Sequence, residues 1–353
     1  MKQKIISFLF LVLFFGIFSY LFWHEYWEFQ EKRKTEISYK ESLSLSQDGF
    51  SLEDILPLSE ETKIFFTPDR LFLDWLVEEI EKAQKKIWVE IYIFTEKRLR
   101  DAIIRAHKRG VEVQVLLENN PYMAPHLNDS HYKDFQSAGI DVRWSNTKNY
   151  ALNHAKLLFI DDIVYVATWN FSFASFSANR DIFLRIVDDT IKNELERLFL
   201  YDFYHEPLGV IHPNIILSPD NSRDRLEFLI SSATSSLEIY FPYIADSSLL
   251  ENILQQAKKW IIIQAIFWID AKNNTVWEIQ SLRDAGVQVV FLKKPKLHAK
   301  SILVDKTTLY IGSINFSQYS IEKNREVGIL LQDKNIIDSF LQVFKSDYEK
   351  SLP

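Results

Sequence analysis

The chain of 353 residues is long enough for two domains of ordinary size, each with its own core. An apolar share of 47% with 14% aromatic residues excludes disorder outside one linker, and the absence of cysteine excludes disulfides, thiolate nucleophiles and Cys-based zinc or iron sites. A net charge of −7 counts against a general polyanion-binding surface.

From the amino terminus, Lys2 and Lys4 precede residues 5–23, IISFLFLVLFFGIFSYLFW, a run without a charged residue. At about 1.5 Å per residue a helix of this length spans nearly 30 Å of hydrocarbon. Trp23, Tyr26 and Trp27 supply an interfacial aromatic cluster, and no small-residue cleavage site ends the run, so residues 1–24 read as an uncleaved transmembrane anchor. Lys32, Arg33 and Lys34 nearly balance the basic residues before the anchor; the short leading tail sets the amino terminus inside and the rest outside a cell membrane crossed once. Residues 25–62 are polar, without a sustained period, and read as a juxtamembrane linker.

The globular part begins with KIFFTP, ended by Pro68. Helix is predicted over 69–84, strand over 86–95, helix over 97–109 closed by Gly110, and strand over 111–117. After residue 209 the alternation restarts: helix 224–234, strand 236–244, helix 247–258, strand 261–268, helix 275–285 and strand 287–292. EIYIF at 90–94 and EIYFPYI at 238–244 read as corresponding strands of a repeat. The expectation is an α/β fold of two similar α/β/α lobes, 63–206 and 207–353, with mostly parallel sheets related by a pseudo-twofold axis.

The repeat is strongest in HAKLLFID, with His154, Lys156 and Asp161, and HAKSILVD, with His298, Lys300 and Asp305, a spacing that recurs 144 residues apart. Each copy leads to a hydroxyl residue and an asparagine, Thr168 with Asn170 and Ser313 with Asn315. Eleven residues past each asparagine stands an acid, Asp181 or Glu326. Read as strands, period 2 puts His154 with Lys156, and His298 with Lys300, on one face. Each lobe then offers half a site.

Two such halves suit displacement at a phosphodiester without a metal or other cofactor. One neutral histidine attacks phosphorus while the other, protonated, donates to the leaving oxygen; the phosphohistidine is then opened with roles reversed. Lys156, Lys300, Asn170, Asn315, Thr168 and Ser313 are the candidates for holding the phosphate oxygens, and Asp181 and Glu326 for orienting and biasing the imidazoles. Asp161 and Asp305 fall at strand ends, where turn chemistry accounts for an acid. Both half-sites lie in one chain, so no oligomer is required. Phe171, Phe173 and Phe176 are read as helix core or the lining of an acyl groove. The loop NNPYMAPHLNDSH is a candidate substrate mouth, and its His126 and His131 lack metal-site spacing.

These motifs resemble the phospholipase D superfamily, whose pattern is His-x-Lys-x4-Asp, then Gly-Ser-x-Asn and a downstream Asn-x-Glu. The resemblance covers nearly all of residues 63–345. The second copy matches throughout; in the first, Ala167 and Thr168 replace Gly-Ser, and because alanine takes positive φ less easily than glycine, a different backbone around Thr168 is expected. The resemblance implies a two-lobed fold with the site at the interface, metal-independent phosphodiester hydrolysis or transfer, and a phosphohistidine intermediate. With the anchor and the acidic balance it points to a phospholipid substrate for a phospholipase D or phosphatidyltransferase. An anchored nuclease is the second reading and an inactive membrane-bound scaffold the third.

Overall fold

The computed structural model describes residues 50–204, 208–270 and 275–352. The expected anchor and residues 25–49 of the linker lie outside them, as do residues 205–207 at the expected lobe boundary. Among the described residues, no helix is long and apolar enough to cross a membrane.

The first half contains β1 (Lys63–Phe66), α1 (Arg70–Lys82), β2 (Lys86–Ile91), α2 (Lys97–Lys108), β3 (Glu112–Leu117), α3 (Asp129–Ser137), β4 (Asp141–Trp144), β5 (Lys156–Ile160), β6 (Ile163–Ala167), α4 (Phe173–Ser177), β7 (Asn179–Arg180), β8 (Ile182–Ile186) and α5 (Asp189–Tyr204). The second contains β9 (Ile215–Ser218), α6 (Ser222–Ser231), β10 (Ser236–Phe241), β11 (Ile244–Ala245), α7 (Ser247–Lys258), β12 (Ile262–Trp268), α8 (Val276–Asp284), β13 (Gln288–Leu292), β14 (Lys296–Leu297), β15 (Ser301–Val304), β16 (Thr308–Gly312), β17 (Phe316–Ser317), α9 (Gln318–Glu322), β18 (Glu326–Leu331) and α10 (Lys334–Ser351). The two seven-stranded sheets have the same strand order, β1-β8-β6-β5-β2-β3-β4 and β9-β18-β16-β15-β10-β12-β13.

The sheets are mixed, which corrects the expectation of mostly parallel pairing. Only β2-β3-β4 and β10-β12-β13 pair in parallel, where a helix makes each crossover; the other pairings in each sheet are antiparallel. The two-residue turn at Asp161–Asp162 explains part of this, since so short a connection joins only antiparallel strands. The strand repeat is also offset from its apparent alignment. Ile87 pairs with Ile160 and Leu237 with Val304, the residue before the motif aspartate in each half, so Glu90 corresponds to Tyr240 and not to Glu238. A slip of two preserves the face, which is why the strings look equivalent.

Alternation along β2 divides its residues between two cores. Ile87, Val89 and Ile91 pack outward against Leu76 and Ile80 of α1 and Leu99 and Ile103 of α2. Trp88 faces inward, into a core that joins Phe159, Val166 and Leu184 of the first sheet to Leu303, Ile311 and Val327 of the second, with α5 and α10 contributing Leu195, Phe199, Phe340 and Phe344. At roughly 1.5–3 kcal/mol per buried large side chain, this shared core holds the halves together.

Polar contacts also cross between the halves, reciprocally. β7 pairs with β14 in parallel, and Asn153 bridges to Arg325. Arg180 Nε donates to Asp347 on α10 at 2.6 Å, while Arg325, 2% exposed, donates to Asp202 on α5 and to Asp220 at 2.6 Å. Removing one partner of such a buried pair costs about 3–5 kcal/mol, so these contacts fix the register of one half on the other.

Candidate active site between the halves

The histidines stand just outside the sheets. His154 lies two residues before β5 and His298 three before β15, so the strand reading of the motifs is corrected to loop segments that feed the strands. Each segment is held by the other half: the His154 amide donates to the Arg325 carbonyl at 2.8 Å, and the His298 and Ala299 amides donate to the Arg180 carbonyl at 3.0 and 2.9 Å.

The acids are crossed as well. His154 Nδ1 lies 2.7 Å from Glu326 Oε2, and His298 Nδ1 lies 2.8 Å from Asp181 Oδ1, so each imidazole is oriented by a carboxylate from the other half. Both acids are fully buried. Burial alone would raise them, but His298 beside Asp181 and His154 beside Glu326 hold both below the usual carboxylate range. Burial pushes His154 down to about 4 against the pull of Glu326, and pushes His298 down against Asp181. Burial thus favours the neutral form of each ring and the facing carboxylate its protonated form, and with Nδ1 turned to the carboxylate each ring leaves Nε2 for chemistry.

The lysines complete the cluster. Lys300 Nζ sits 3.1 Å from His298 Nε2 and donates to the carbonyls of His298 and Thr168; Lys156 Nζ donates to the His154 carbonyl at 2.6 Å. Burial lowers Lys300 to about 8 and Lys156 well below its ordinary value, with Asp181 and Glu326 opposing. A phosphodiester held by the Lys300 ammonium should bind less well as pH rises through about 8, because the deprotonated amine has no charge to offer. KM measured between about pH 6 and 10 is expected to climb on the alkaline side in the native chain and stay flat in Lys300→Arg, whose guanidinium remains charged. Parallel profiles would remove Lys300 from phosphate binding.

The hydroxyls face the acids. Thr168 Oγ1 donates to Asp181 Oδ1 at 2.8 Å and accepts from the Ile182 amide, and Ser313 Oγ accepts from the Val327 amide at 3.0 Å. Thr168 and Ser313 thus brace Asp181 and β18, a contact that the reading of them as phosphate ligands did not anticipate. The Ala167 expectation is corrected too. Neither Ala167 nor Gly312 has positive φ. A Cβ on Gly312 would come within 2.6 Å of the Gly328 Cα and 2.5 Å of the Tyr310 hydroxyl, so the glycine is there for room; in the first half Ala167 pairs with Phe183 at the matching positions. Asn170 and Asn315 are half-buried beyond β6 and β16, and Asn170 Oδ1 has no hydrogen-bond partner.

Asp161 and Asp305 are at the opposite ends of β5 and β15 from the histidines. Each accepts three successive backbone amides, from Gln84, Lys85 and Lys86 or from Thr234, Ser235 and Ser236. Although burial would raise the Asp305 carboxyl, the Ser236 and Thr234 hydrogen bonds draw it down to about 2. Of the three phenylalanines, Phe171 and Phe176 are core and Phe173 is exposed. His131 is buried in α3 with its ring 5.4 Å from that of Phe94, away from any mouth, and exposed His126 pairs with Asp129.

Two features escaped the sequence reading. The Tyr92 ring meets His154 edge-on at 4.6 Å; the repeated string sets it against Tyr240, whereas its counterpart by strand register is Pro242. Asn153, next to His154, donates its amide to Glu118 and its side chain to Glu90, both at 2.7 Å; Glu90 is pushed well above the carboxylate range by burial and by Asp202. The matching residue before His298 is Leu297. Arg180 and Arg325 each stand between an asparagine and an acid, in Asn179-Arg180-Asp181 and Asn324-Arg325-Glu326.

Residues 76–203 and 226–348 match the family described as cardiolipin synthase, PLD-like domain. A cardiolipin synthase of Oceanobacillus iheyensis is 27% identical over 329 residues, covering 81% of this chain and 68% of the relative. Two solved structures share the fold: phosphatidylserine synthase of Haemophilus influenzae (TM-score 0.66, 14% identity, 84% of this chain and 88% of the other) and polyphosphate kinase of Porphyromonas gingivalis (TM-score 0.64, 15% identity, 82% and 47%). The chain belongs to the family of PLD-like domains and is an enzyme of the phospholipase D type.

Proposed function

We propose that the chain is a membrane-held phosphatidyltransferase that acts on phospholipids through a phosphohistidine, with cardiolipin synthesis as its reaction. The observation that carries this is the crossed pairing of His154 with Glu326 and His298 with Asp181, which gives two oriented imidazoles with Lys156 and Lys300 between them. One imidazole Nε2 bonds to phosphorus as the P–O bond to the leaving alcohol breaks, and the other, as imidazolium, protonates that alcohol. The second imidazole then takes the proton of an incoming hydroxyl as its oxygen bonds to phosphorus and the P–N bond breaks. A glycerol hydroxyl of a second phosphatidylglycerol gives cardiolipin; water gives hydrolysis.

The lysines hold the non-bridging oxygens, with Asn170 and Asn315 as further donors. Related proteins named as cardiolipin synthases support the lipid over a nucleic-acid backbone. The apolar run at residues 5–23 supports anchoring in the cell membrane, with the globular part outside. The full-length chain, assayed with a chelator on phosphatidylglycerol vesicles and on single-stranded DNA, is expected to form cardiolipin and leave the DNA intact; DNA cleavage without lipid turnover would reverse the assignment.

A further inference from the structure

Resting on the lipid reading above, we propose that the end of the molecule bearing the histidines is a docking surface for an anionic phospholipid bilayer. Because β14, which leads to His298, pairs in parallel with β7, which leads into β8, and Asn153, beside His154, bridges in parallel to Arg325, which leads into β18, the segments that feed the two sheets run the same way, and both halves open toward one side. The loops on that side present large apolar side chains to solvent: Tyr122 and Met123 after β3, Phe173 at the start of α4, Val276 and Trp277 at the start of α8, and Tyr319 in α9. Met123 is 86% exposed and Trp277 68%. Corresponding loops of the two halves contribute, so the rim surrounds the site.

The same end carries exposed cations. Lys148 lies between β4 and β5, and Lys293 and Lys294 lie between β13 and β14, all exposed in the two segments that lead to His154 and His298. Aromatic side chains settle at the head-group level of a bilayer and lysines are drawn to anionic lipid; a nucleic-acid strand also takes lysines and aromatic rings, but exposed Met123 and Val276 offer a base no ring to stack on and favour the lipid surface. The rim is also tied to the chemistry: the Tyr122 amide donates to the Tyr92 hydroxyl at 2.6 Å, and the Tyr92 ring packs on His154. One comparable turn exists at the far end, where Trp260 follows Lys258 and Lys259, and nothing connects it to the histidines.

The native chain has no cysteine, so single reporters can be placed without background. In full-length protein reconstituted into phosphatidylglycerol vesicles, an environment-sensitive dye on Met123→Cys or Trp277→Cys is expected to be quenched by doxyl-labelled lipid, and the same dye on Trp260→Cys is not. Quenching at Trp260→Cys alone, or an apolar signal at Met123→Cys that lipid does not quench, as a second copy of the chain would give, overturns the proposal. Trp277→Asp combined with Tyr319→Asp should lower turnover of vesicle lipid at least tenfold while changing turnover of monomeric short-chain phosphatidylglycerol less than threefold. Lipid turnover with unquenched rim reporters rejects the docking surface and leaves the phosphatidyltransferase reading intact; quenched reporters without lipid turnover do the reverse.

Discussion

Replacing either His154 or His298 by asparagine is expected to lower turnover by at least about 10³-fold, and the double replacement should be no worse than either single one. The reason is the division of labour: one ring forms the bond to phosphorus and the other moves the proton, so losing either stops the same sequence of steps. Simple additivity would apply only if the rings acted independently. Asparagine keeps much of the buried volume and avoids the cavity that alanine would leave beside Tyr92. Circular dichroism and a thermal melt on each variant separate lost chemistry from lost fold. With substrate labelled in the phosphatidyl group and an alkaline quench, one single variant should still accumulate labelled enzyme and the other should not, which identifies the attacking ring. Labelling that persists in the double variant would end the phosphohistidine account.

The second large effect concerns the crossed acids. Glu326→Gln and Asp181→Asn are expected to cost about 10²–10⁴-fold in turnover with little change in KM, since each amide keeps the size of the acid but no longer stabilises the imidazolium that forms in the reaction. The sign of the titration shift follows from charge. A carboxylate favours the protonated ring, so its removal should lower the pKa of the ring it faces still further. NMR of labelled histidines should show Glu326→Gln moving His154 below about 4 and leaving His298 in place, while Asp181→Asn moves His298 alone. The opposite pattern, with each acid governing the histidine of its own half, would contradict the geometry.

How much of this was legible from sequence depended on what repeats. The two His-x-Lys segments, the asparagines and the acids recur at nearly constant spacing, and the histidines, lysines and acids lie together in the fold. Spacing along a chain carries no information about which half supplies which partner, so the crossing of Glu326 to His154 was invisible. The mostly parallel sheet was inferred from alternating strands and helices over 63–117 and 224–292; the hairpins β5–β6 and β15–β16 that turn the sheets antiparallel fall where the motifs were read for chemistry alone. Glycine at 312 was assigned to backbone freedom because that is its commonest use. Its actual reason is the Gly328 backbone on the neighbouring strand β18 together with Tyr310, two residues earlier on its own strand. Glu90 and Tyr92 fall in a string matched to Glu238 and Tyr240 that the strand register sets two residues off, and Asn153 and Glu118 have no counterpart in the second half, so a reading built on duplication passed over the role of all four.

The exchange of arginines and carboxylates across the junction has a consequence for how such a chain can change over generations. In most duplicated proteins one copy is free to drift while the other preserves the ancestral task. Here a mutation in either copy injures equipment owned by its sibling, as Arg180 and Arg325 each reach the closing helix of the other. Neither copy can be retired, and divergence is confined to what surrounds the shared centre, where an unmatched tyrosine and the buried pair Glu90 and Glu118 already distinguish left from right.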